Sequence, residues 1–577
     1  MTKTFYKVRE IRDLRDLISQ SAKLYADRPA YEVKDSKGNH YEISYKTYYS
    51  QIQALGTALT DMGLKGEKIA VGGDNSYEWC LSYMATVTGV GVIVPVDKEL
   101  LFNDINNILN TADVKLFFCD KKVYKKLMAN KDEIKSDLTI VVIHGKIEGE
   151  LCLQDILDKG EKLLAEGDRR YLDAEIDPDK MCSLLFTSGT TGMSKGVMLC
   201  HRNFCSEVMA AMGVIKISPE DCGISMLPLH HTYESTIILF FAPYCGAKVT
   251  FCDGFKYVLK NMKEFSPTVF VAVPLLLETV HRRLMKKVRE RPHGEALFKL
   301  GAFLVKAGEK VGLDLKKLFF KEIIDTFGGN MRLIICGAAP INPQILKDFE
   351  AFGIQIIFGY GLTECVTASC VTPADRAKVG SIGLPLRDTE YRIVEPGTFK
   401  FLPAGEMGEI IITGPTLMLG YKDAEEENAK TMRTDENGKR WLFTGDAGYM
   451  DEEGFVYFKQ RMKRLIVTSG YNVYPSQIEN MIDKHPDVDY CCVIGVKDPY
   501  KMQRVRAYIV LNPGVEKSEE TKQSILAHCK EYLDVFERPK EIIFRDELPK
   551  TLVGKVAYHS LEEEAEREEA EKEVVKA

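Results

Sequence analysis

The sequence predicts an α/β protein with a large N-terminal domain of layered α/β subdomains, a β-rich subdomain, and a small α+β C-terminal domain. Three observations predict it. Short apolar runs of strand type alternate with stretches of helical periodicity along most of the chain, the pattern of largely parallel sheets covered by helices. Ahead of a boundary near 460–463 lies a β-rich stretch, with strand-type runs at 409–413 and 455–459. At 577 residues the chain is too long for one core, and about 115 residues beyond residue 460 suffice for a separate small domain.

Taken in order, Ile11, Leu14, Leu17, Ile18 and Leu24 recur at helical spacing over residues 9–24. Residues 68–71 read as a strand, 77–88 as a helix and 91–95 as a strand, and 114–119 and 138–143 are further β-type runs. Lys- and Glu-rich connectors at 121–135 and 148–170 have the look of solvated helices. Residues 181–186 (MCSLLF) form a strand-type run, and HRN at 201–203 opens a helix. Over 274–327 the character changes: Leu297, Leu300, Leu304, Ala307, Val311, Leu315 and Leu318 fall three or four apart amid twelve Lys and Arg. Such a basic amphipathic insert (275–327) either touches an anionic lipid surface or forms ordinary surface helices. Past a boundary near 460–463, residues 491–495 and 506–511 read as strands and 519–532 as a helix. The final LEEEAEREEAEKEVVKA (561–577) reads as a solvated acidic tail.

Composition excludes several classes. With 45% hydrophobic and 28% charged residues the chain is an ordinary globular one, and a net charge of −7 gives no ground for nucleic-acid binding. The first twenty residues alternate charged and apolar side chains, unlike a secretory leader. No run of about 18 apolar residues suggests a membrane span. Fifteen Cys without a C-x-x-C pair are expected as reduced thiols of a cytoplasmic protein, mostly core filler, with no zinc site.

The chemistry concentrates in a few short stretches. Residues 187–196 (TSGTTGMSKG), wedged between apolar runs, could cradle a phosphate through backbone N–H groups, hydroxyls and one Lys, or be a turn-rich loop. It is not GxxxxGK[ST], because Gly192 and Lys195 are separated. LPLHHTYE (227–234), CGAAP (336–340), GYGLTE (359–364), TGD (444–446) and PKTLVGK (549–555) follow. Each alone could be a loop or turn.

Together and in this order, with residues 442–467 and SGYNVYPSQIE (469–479), these motifs resemble the adenylate-forming (AMP-binding) superfamily over nearly the whole chain. Within it the chain is most similar to long-chain fatty acyl-CoA synthetases, through LPLHHTYE, SGYNVYP and the basic insert. The resemblance implies ATP-dependent conversion of a fatty acid to acyl-AMP with pyrophosphate release, then transfer to coenzyme A, with Mg²⁺ as cofactor. It implies that Thr187, Ser188, Gly189, Thr190, Thr191, Gly192 and Lys195 hold the β- and γ-phosphates. Glu364, with the Thr187 hydroxyl, would bind Mg²⁺, and Thr363 would donate to the α-phosphate. Tyr360 and Gly361 would face the adenine, with Gly337, Ala338 and Ala339 leaving it room. Asp446 would accept the ribose hydroxyls, Arg461 would brace the sugar, and Lys555 would bridge the α-phosphate and the incoming carboxylate. His231 and Tyr233 would lie near the acyl pocket, His231 being otherwise a core histidine. The implied organisation is an N-terminal domain 1–460, a hinge 461–463 pivoting at Lys463, a mobile domain 464–560 and the acidic tail 561–577. Ser469, Gly470 and Tyr471 would line the pantetheine channel. The implied state is a cytoplasmic monomer or homodimer, with peripheral contact at the inner face of the membrane left open.

The sequence departs from the pattern at Ser194, where Pro is common, at Gln460 and Arg464 beside the hinge, and after Lys555, where VAYHSL lacks a basic residue. None of these removes a catalytic group. Delivery to a carrier protein, a shorter or aromatic acid, and a binding protein that has lost catalysis are the competing readings. The last would show decay at Lys195, Glu364, Asp446, Arg461 or Lys555, and all five are intact.

Overall fold

The computed structural model describes residues 6–576 except 36, 188–194, 311–312, 314, 338–340, 374–376, 469–470, 499–501 and 551–555. The chain divides into two compact units, Met1–Tyr391 with Ile412–Leu442, and Arg392–Ile411 with Phe443–Ala577.

Two large sheets build the first unit. A seven-stranded sheet runs in the order Gly420–Tyr421, Lys195–Cys200, Met181–Thr187, Val92–Val96, Lys68–Gly72, Val114–Cys119, Thr139–Val142. Its last five strands pair in parallel, and they read as nearly continuous apolar runs because both faces are buried. The nine-stranded sheet has a parallel centre, Gln355–Tyr360, Leu333–Gly337, Val269–Ala272, Cys222–Ser225, Lys248–Phe251 and Pro29–Lys34, with antiparallel strands at both edges. This is the α/β layering expected from the alternation of runs.

Boundaries differ where capping decides them. The first helix begins at Leu14 rather than residue 9, because the Asp13 carboxylate accepts the Asp16 N–H at its N-cap. The helix from Tyr77 ends as an α-helix at Ala85 and continues as a wider turn, Thr86–Val90, around Gly89 at φ 144°.

The basic segment forms three helices, Pro274–Arg289, Gly294–Lys310 and Lys316–Thr326. The middle one packs through Phe298, Gly301, Val305 and Gly308. A Cβ on Gly301 would stand 3.2 Å from the Phe319 Cβ, so the glycine sets how closely the helices approach. Phe298 meets the rings of Phe320 and Phe352 at 5.6 and 5.7 Å. Three of the periodic leucines therefore lie off the packed face: Leu297, Leu300 and Leu318 are 59%, 52% and 74% exposed.

A five-stranded sheet runs Glu390–Val394, Gly408–Thr413, Arg440–Met450, Met432–Thr434, with Val456–Arg461 paired to Arg440–Met450. The C-terminal part of the second unit is built on Tyr471–Val473, Ile466–Thr468, Met502–Leu511 and Val488–Asp498, with Glu541–Arg545 parallel to Met502–Leu511. Its outer face is covered by the helix Tyr558–Lys576, correcting the expectation of a solvated tail. Leu561 and Ala565 are buried against Ile494, Val496 and Tyr508. The Arg506 guanidinium, 1% exposed, meets Glu541, Glu568 and Glu569 at 2.6, 2.8 and 3.2 Å. Two apolar residues among so many glutamates gave no periodic signal. All fifteen Cys are free thiols, fourteen of them buried. Among the described residues no helix is long and apolar enough to cross a membrane.

Candidate active site

The glycine-rich stretch is the connection of a hairpin. Thr187 ends Met181–Thr187, Lys195 begins Lys195–Cys200, and the two residues are register partners of an antiparallel pair. Ser188, Gly189, Thr190, Thr191 and Gly192 lie outside the described residues, as do Ala338, Ala339, Ser469, Gly470 and Lys555. The helix His201–Met212 follows the hairpin, and Asn203 Nδ2 donates to Pro415 O and Leu417 O, both at 2.8 Å.

Those two carbonyls lead into an edge strand that sequence reasoning missed. Gly420–Tyr421 pairs antiparallel with Lys195–Cys200, and the Leu419 and Lys422 N–H groups donate to Met198 O and Gly196 O, each at 2.8 Å. Gly420 sits at φ 144°, where a side chain is strained. Asn428 clamps Tyr421, accepting its N–H and donating to its carbonyl, both at 2.7 Å. Tyr421 is thereby held with its ring centroid 5.4 Å from the Lys195 ammonium, within cation–π range. Its hydroxyl donates to Glu364 Oε1 at 2.6 Å, and Lys195 Nζ lies 2.5 Å from Glu427 Oε1. Lys195 and Glu364, expected separately from two motifs, thus meet through Tyr421. No motif pattern flags Tyr421 or Glu427, since GYKDAEEEN reads as a turn before a charged helix.

Glu364 and Thr363 stand half-buried on the short turn Thr363–Cys365, beyond the strand Gln355–Tyr360. The Met418 N–H donates to the Glu364 carbonyl at 2.8 Å. Tyr360 makes an edge contact with Tyr391 at 6.4 Å. A Cβ on Gly361 would stand 1.7 Å from Thr367 O, so only glycine fits there without backbone movement. A Cβ on Gly337 would stand 2.9 Å from Gly359 O. The Tyr233 hydroxyl lies 2.9 Å from Ile335 O and 3.1 Å from Ala272 O, beside Gly337 at the ends of two sheet strands. His231 is exposed, which overturns its reading as a core histidine. The more enclosed member of the pair is the half-buried His230, whose imidazole is held well below its usual range by desolvation.

In the second unit, Asp446 and Arg461 are cross-strand register partners. Asp446 is 1% exposed and its Oδ1 lies 2.9 Å from Arg461 Nε. The turn ahead of it is fixed by Thr444 Oγ1, which donates to Ile410 O at 2.7 Å and accepts the Asp446 N–H at 3.0 Å. The Gly445 N–H donates to Glu409 Oε1 at 3.1 Å. Lys463 lies in the turn Met462–Arg464, and Tyr471 opens a strand whose first pair is with Thr468.

With the hairpin, the Glu364 turn and the Asp446–Arg461 pair in place, the match to known proteins is decisive. Residues 18–422 match the AMP-binding enzyme family and residues 477–555 its C-terminal domain. The chain belongs to the AMP-binding enzymes. It is 28% identical to the long-chain-fatty-acid–CoA ligase of Bacillus subtilis over 96% of this chain and 94% of that one. It is 26% identical to the 2-succinylbenzoate–CoA ligase of Bacillus cereus over 94% of this chain and 97% of that one. Among solved structures, ATP-bound MatB from Rhodopseudomonas palustris superposes with a TM-score of 0.76 at 26% identity, covering 96% of this chain and 98% of that one.

Among this AMP-binding enzyme's expected site residues that are described, Lys195 and Glu364 meet at Tyr421 in the first unit, with Thr187 the register partner of Lys195, and Asp446 pairs with Arg461 in the second. Among the described residues no group of three or more His, Cys, Asp or Glu is arranged to hold a metal.

Proposed function

We propose that this enzyme activates a carboxylic acid with ATP and passes the acyl group to coenzyme A, and that the acid is a long-chain fatty acid. The observation that carries the reading is the Lys195–Tyr421–Glu364 cluster at the end of the glycine-rich hairpin, a cation and a hard carboxylate both held on one tyrosine. Relatives named as CoA ligases over nearly the whole chain support the acceptor, and the long-chain relatives support the acid.

In the first half-reaction a carboxylate oxygen bonds to the α-phosphorus and pyrophosphate leaves, which needs positioning and charge neutralisation more than covalent help. Lys195 and the hydroxyls of 187–191 bind the β- and γ-phosphates, and Thr363 donates to an α-phosphate oxygen. Tyr360 offers a ring face to adenine, Asp446 accepts the ribose hydroxyls, and Arg461 braces the sugar. Lys555 supplies positive charge where the carboxylate and α-phosphate meet. Mg²⁺ fits the donor set: Glu364 is one half-exposed carboxylate with one oxygen engaged by Tyr421, and Mg²⁺ uses one or two carboxylates alongside phosphate oxygens. Bound there with the Thr187 hydroxyl, it would neutralise phosphate charge. In the second half-reaction the thiol sulfur bonds to the acyl carbon and AMP leaves. A pivot at Lys463 between domains 1–460 and 464–560 separates the two steps, and Ser469 to Tyr471 line the thiol's path.

Acids of graded length, assayed for AMP release with and without CoA, test the reading. Release rising with chain length and requiring CoA agrees with it. Pyrophosphate release without AMP release even in the presence of CoA points to a carrier-protein acceptor, and a preference for aromatic acids replaces the substrate.

The helices Pro274–Arg289 and Gly294–Lys310 support contact with an anionic lipid surface. Leu297, Leu300 and Phe303 are exposed at three-residue spacing on one helix, and Arg282, Arg283, Lys286, Lys287 and Arg289 are exposed on the other. Each such cation near an anionic surface contributes roughly 1 kcal/mol. Reversing charge at Lys286, Lys287 and Arg289 should weaken binding to phosphatidylglycerol vesicles, most at low salt.

A further inference from the structure

The segment after Glu364 turns through Val366 at φ 69°, ψ −75°, with the Thr367 N–H donating to Cys365 O at 3.0 Å. This is the γ-turn of positive φ, strained for any L residue and more so for a β-branched one. Such a turn persists only where its surroundings hold it. Thr367 Oγ1 lies 3.0 Å from Thr232 O and 2.9 Å from Thr236 Oγ1, and the Ser369 N–H donates to Tyr360 O at 3.0 Å. A further hold comes from a carboxyl on another helix: the Ala368 N–H donates to Glu207 Oε1 at 3.1 Å.

Glu207 is fully buried on the helix His201–Met212, which starts where the hairpin strand Lys195–Cys200 ends. Its second carboxyl oxygen is buried with no hydrogen-bond partner. Burial pushes the carboxyl up to about 8, so it is mostly a neutral acid at pH 7. An apolar side chain would fill this place without the desolvation a carboxyl suffers. None of the steps proposed above uses it.

We propose that Glu207 is a positioning residue: through Ala368 it holds the strained turn at Val366 and so fixes Thr363 and Glu364 against the hairpin. The proposal rests on the reading of Thr363 and Glu364 as nucleotide groups. It makes one side chain the link between two motifs about 160 residues apart in sequence.

The test compares Glu207→Gln, Glu207→Ala and Val366→Gly by hydrogen exchange at residues 366–369 and by ATP–pyrophosphate exchange. Gln keeps the acceptor and the neutral charge, so Ala368 protection is retained and kcat stays within about threefold of wild type. Ala removes the acceptor: exchange at 366–369 accelerates at least about tenfold, and kcat falls roughly 10–100-fold with the KM of the acid unchanged. Glycine adopts the positive φ without strain, so in a Val366→Gly background the loss from Glu207→Ala shrinks. Equal protection in Glu207→Ala and wild type overturns the proposal, as does an equal kcat loss in Glu207→Gln and Glu207→Ala, or a loss confined to the KM of the acid. The amide readout needs no substrate, so it decides the proposal even if no acid tried supports exchange, an outcome that would count against the ligase reading alone. If Glu207→Ala does not fold, unprotected 366–369 amides in Glu207→Gln overturn the proposal, and protected ones with near-normal kcat uphold it.

Discussion

Two sets of acidic side chains in the first unit contrast sharply. Glu364 and Glu427 are half-buried, each beside a donor, the Tyr421 hydroxyl or the Lys195 ammonium. Glu207 and Glu234 are fully buried, and their donors are neutral: the Ala368 N–H for one, the Ser225 hydroxyl and Met226 N–H for the other. Desolvation pushes both buried carboxyls up to about 8. Partly solvated acids can carry charge to a ligand, whereas sealed acids with neutral donors serve as hydrogen-bonding struts. Placement, rather than residue type, separates the two roles.

The largest effect should follow loss of charge in the first set. Glu364→Gln keeps the shape and a partner for Tyr421 but cannot hold a divalent cation as a carboxylate does. Pyrophosphate exchange should fall by roughly 10²–10³-fold while the melting temperature barely moves. A variant as fast as wild type would show that the reacting nucleotide does not use this carboxylate.

Next comes a stability effect confined to the sealed set. A carboxyl whose folded pKa is about 8, against an ordinary 4.5, favours the folded state in its neutral form. That stability is complete below the ordinary carboxylate range, declines as pH rises through it, and is gone above about 8. Asp483, pushed up by burial to about 7, adds a decline of the same sign in the second unit. The double variant Glu207→Gln, Glu234→Gln should therefore flatten the fall of melting temperature between about pH 5 and about pH 8. A slope identical to wild type would mean that these acids are not neutral in the folded state.

Much of this was legible in the sequence, for a physical reason. The strand ends at Thr187 and Lys195 and the turn at 363–365 are local features, each set by a few neighbouring residues. TGD and Arg461 lie on the two strands of one hairpin, so their pairing follows once the strands are recognised. Tyr421 and Glu427 were invisible because they reach Lys195 only by an edge strand of two residues, paired across more than 220 positions. Helical periodicity likewise located the helix at Gly294–Lys310 but misassigned its packed face. Gly301 and Gly308, which a hydrophobicity pattern scores as nothing, lie on that face, while Leu297, Leu300 and Leu318 are exposed. The C-terminal helix gave no signal either, because among the described residues its seam is carried by few apolar side chains, chiefly Leu561 and Ala565.

The smallest effect, and the most discriminating, concerns Glu427. Its carboxylate competes with any phosphate for the Lys195 ammonium, and the pair is partly solvated, so the competition amounts to about 1 kcal/mol or less. Glu427→Gln should therefore lower the KM for ATP by a few-fold with kcat unchanged, the opposite direction from Glu364→Gln. Added salt should shrink the difference, because screening weakens the wild-type pair. A higher KM would instead make Glu427 part of the nucleotide's own binding set, and the two half-buried acids would then act together rather than one holding the cation and the other restraining the lysine.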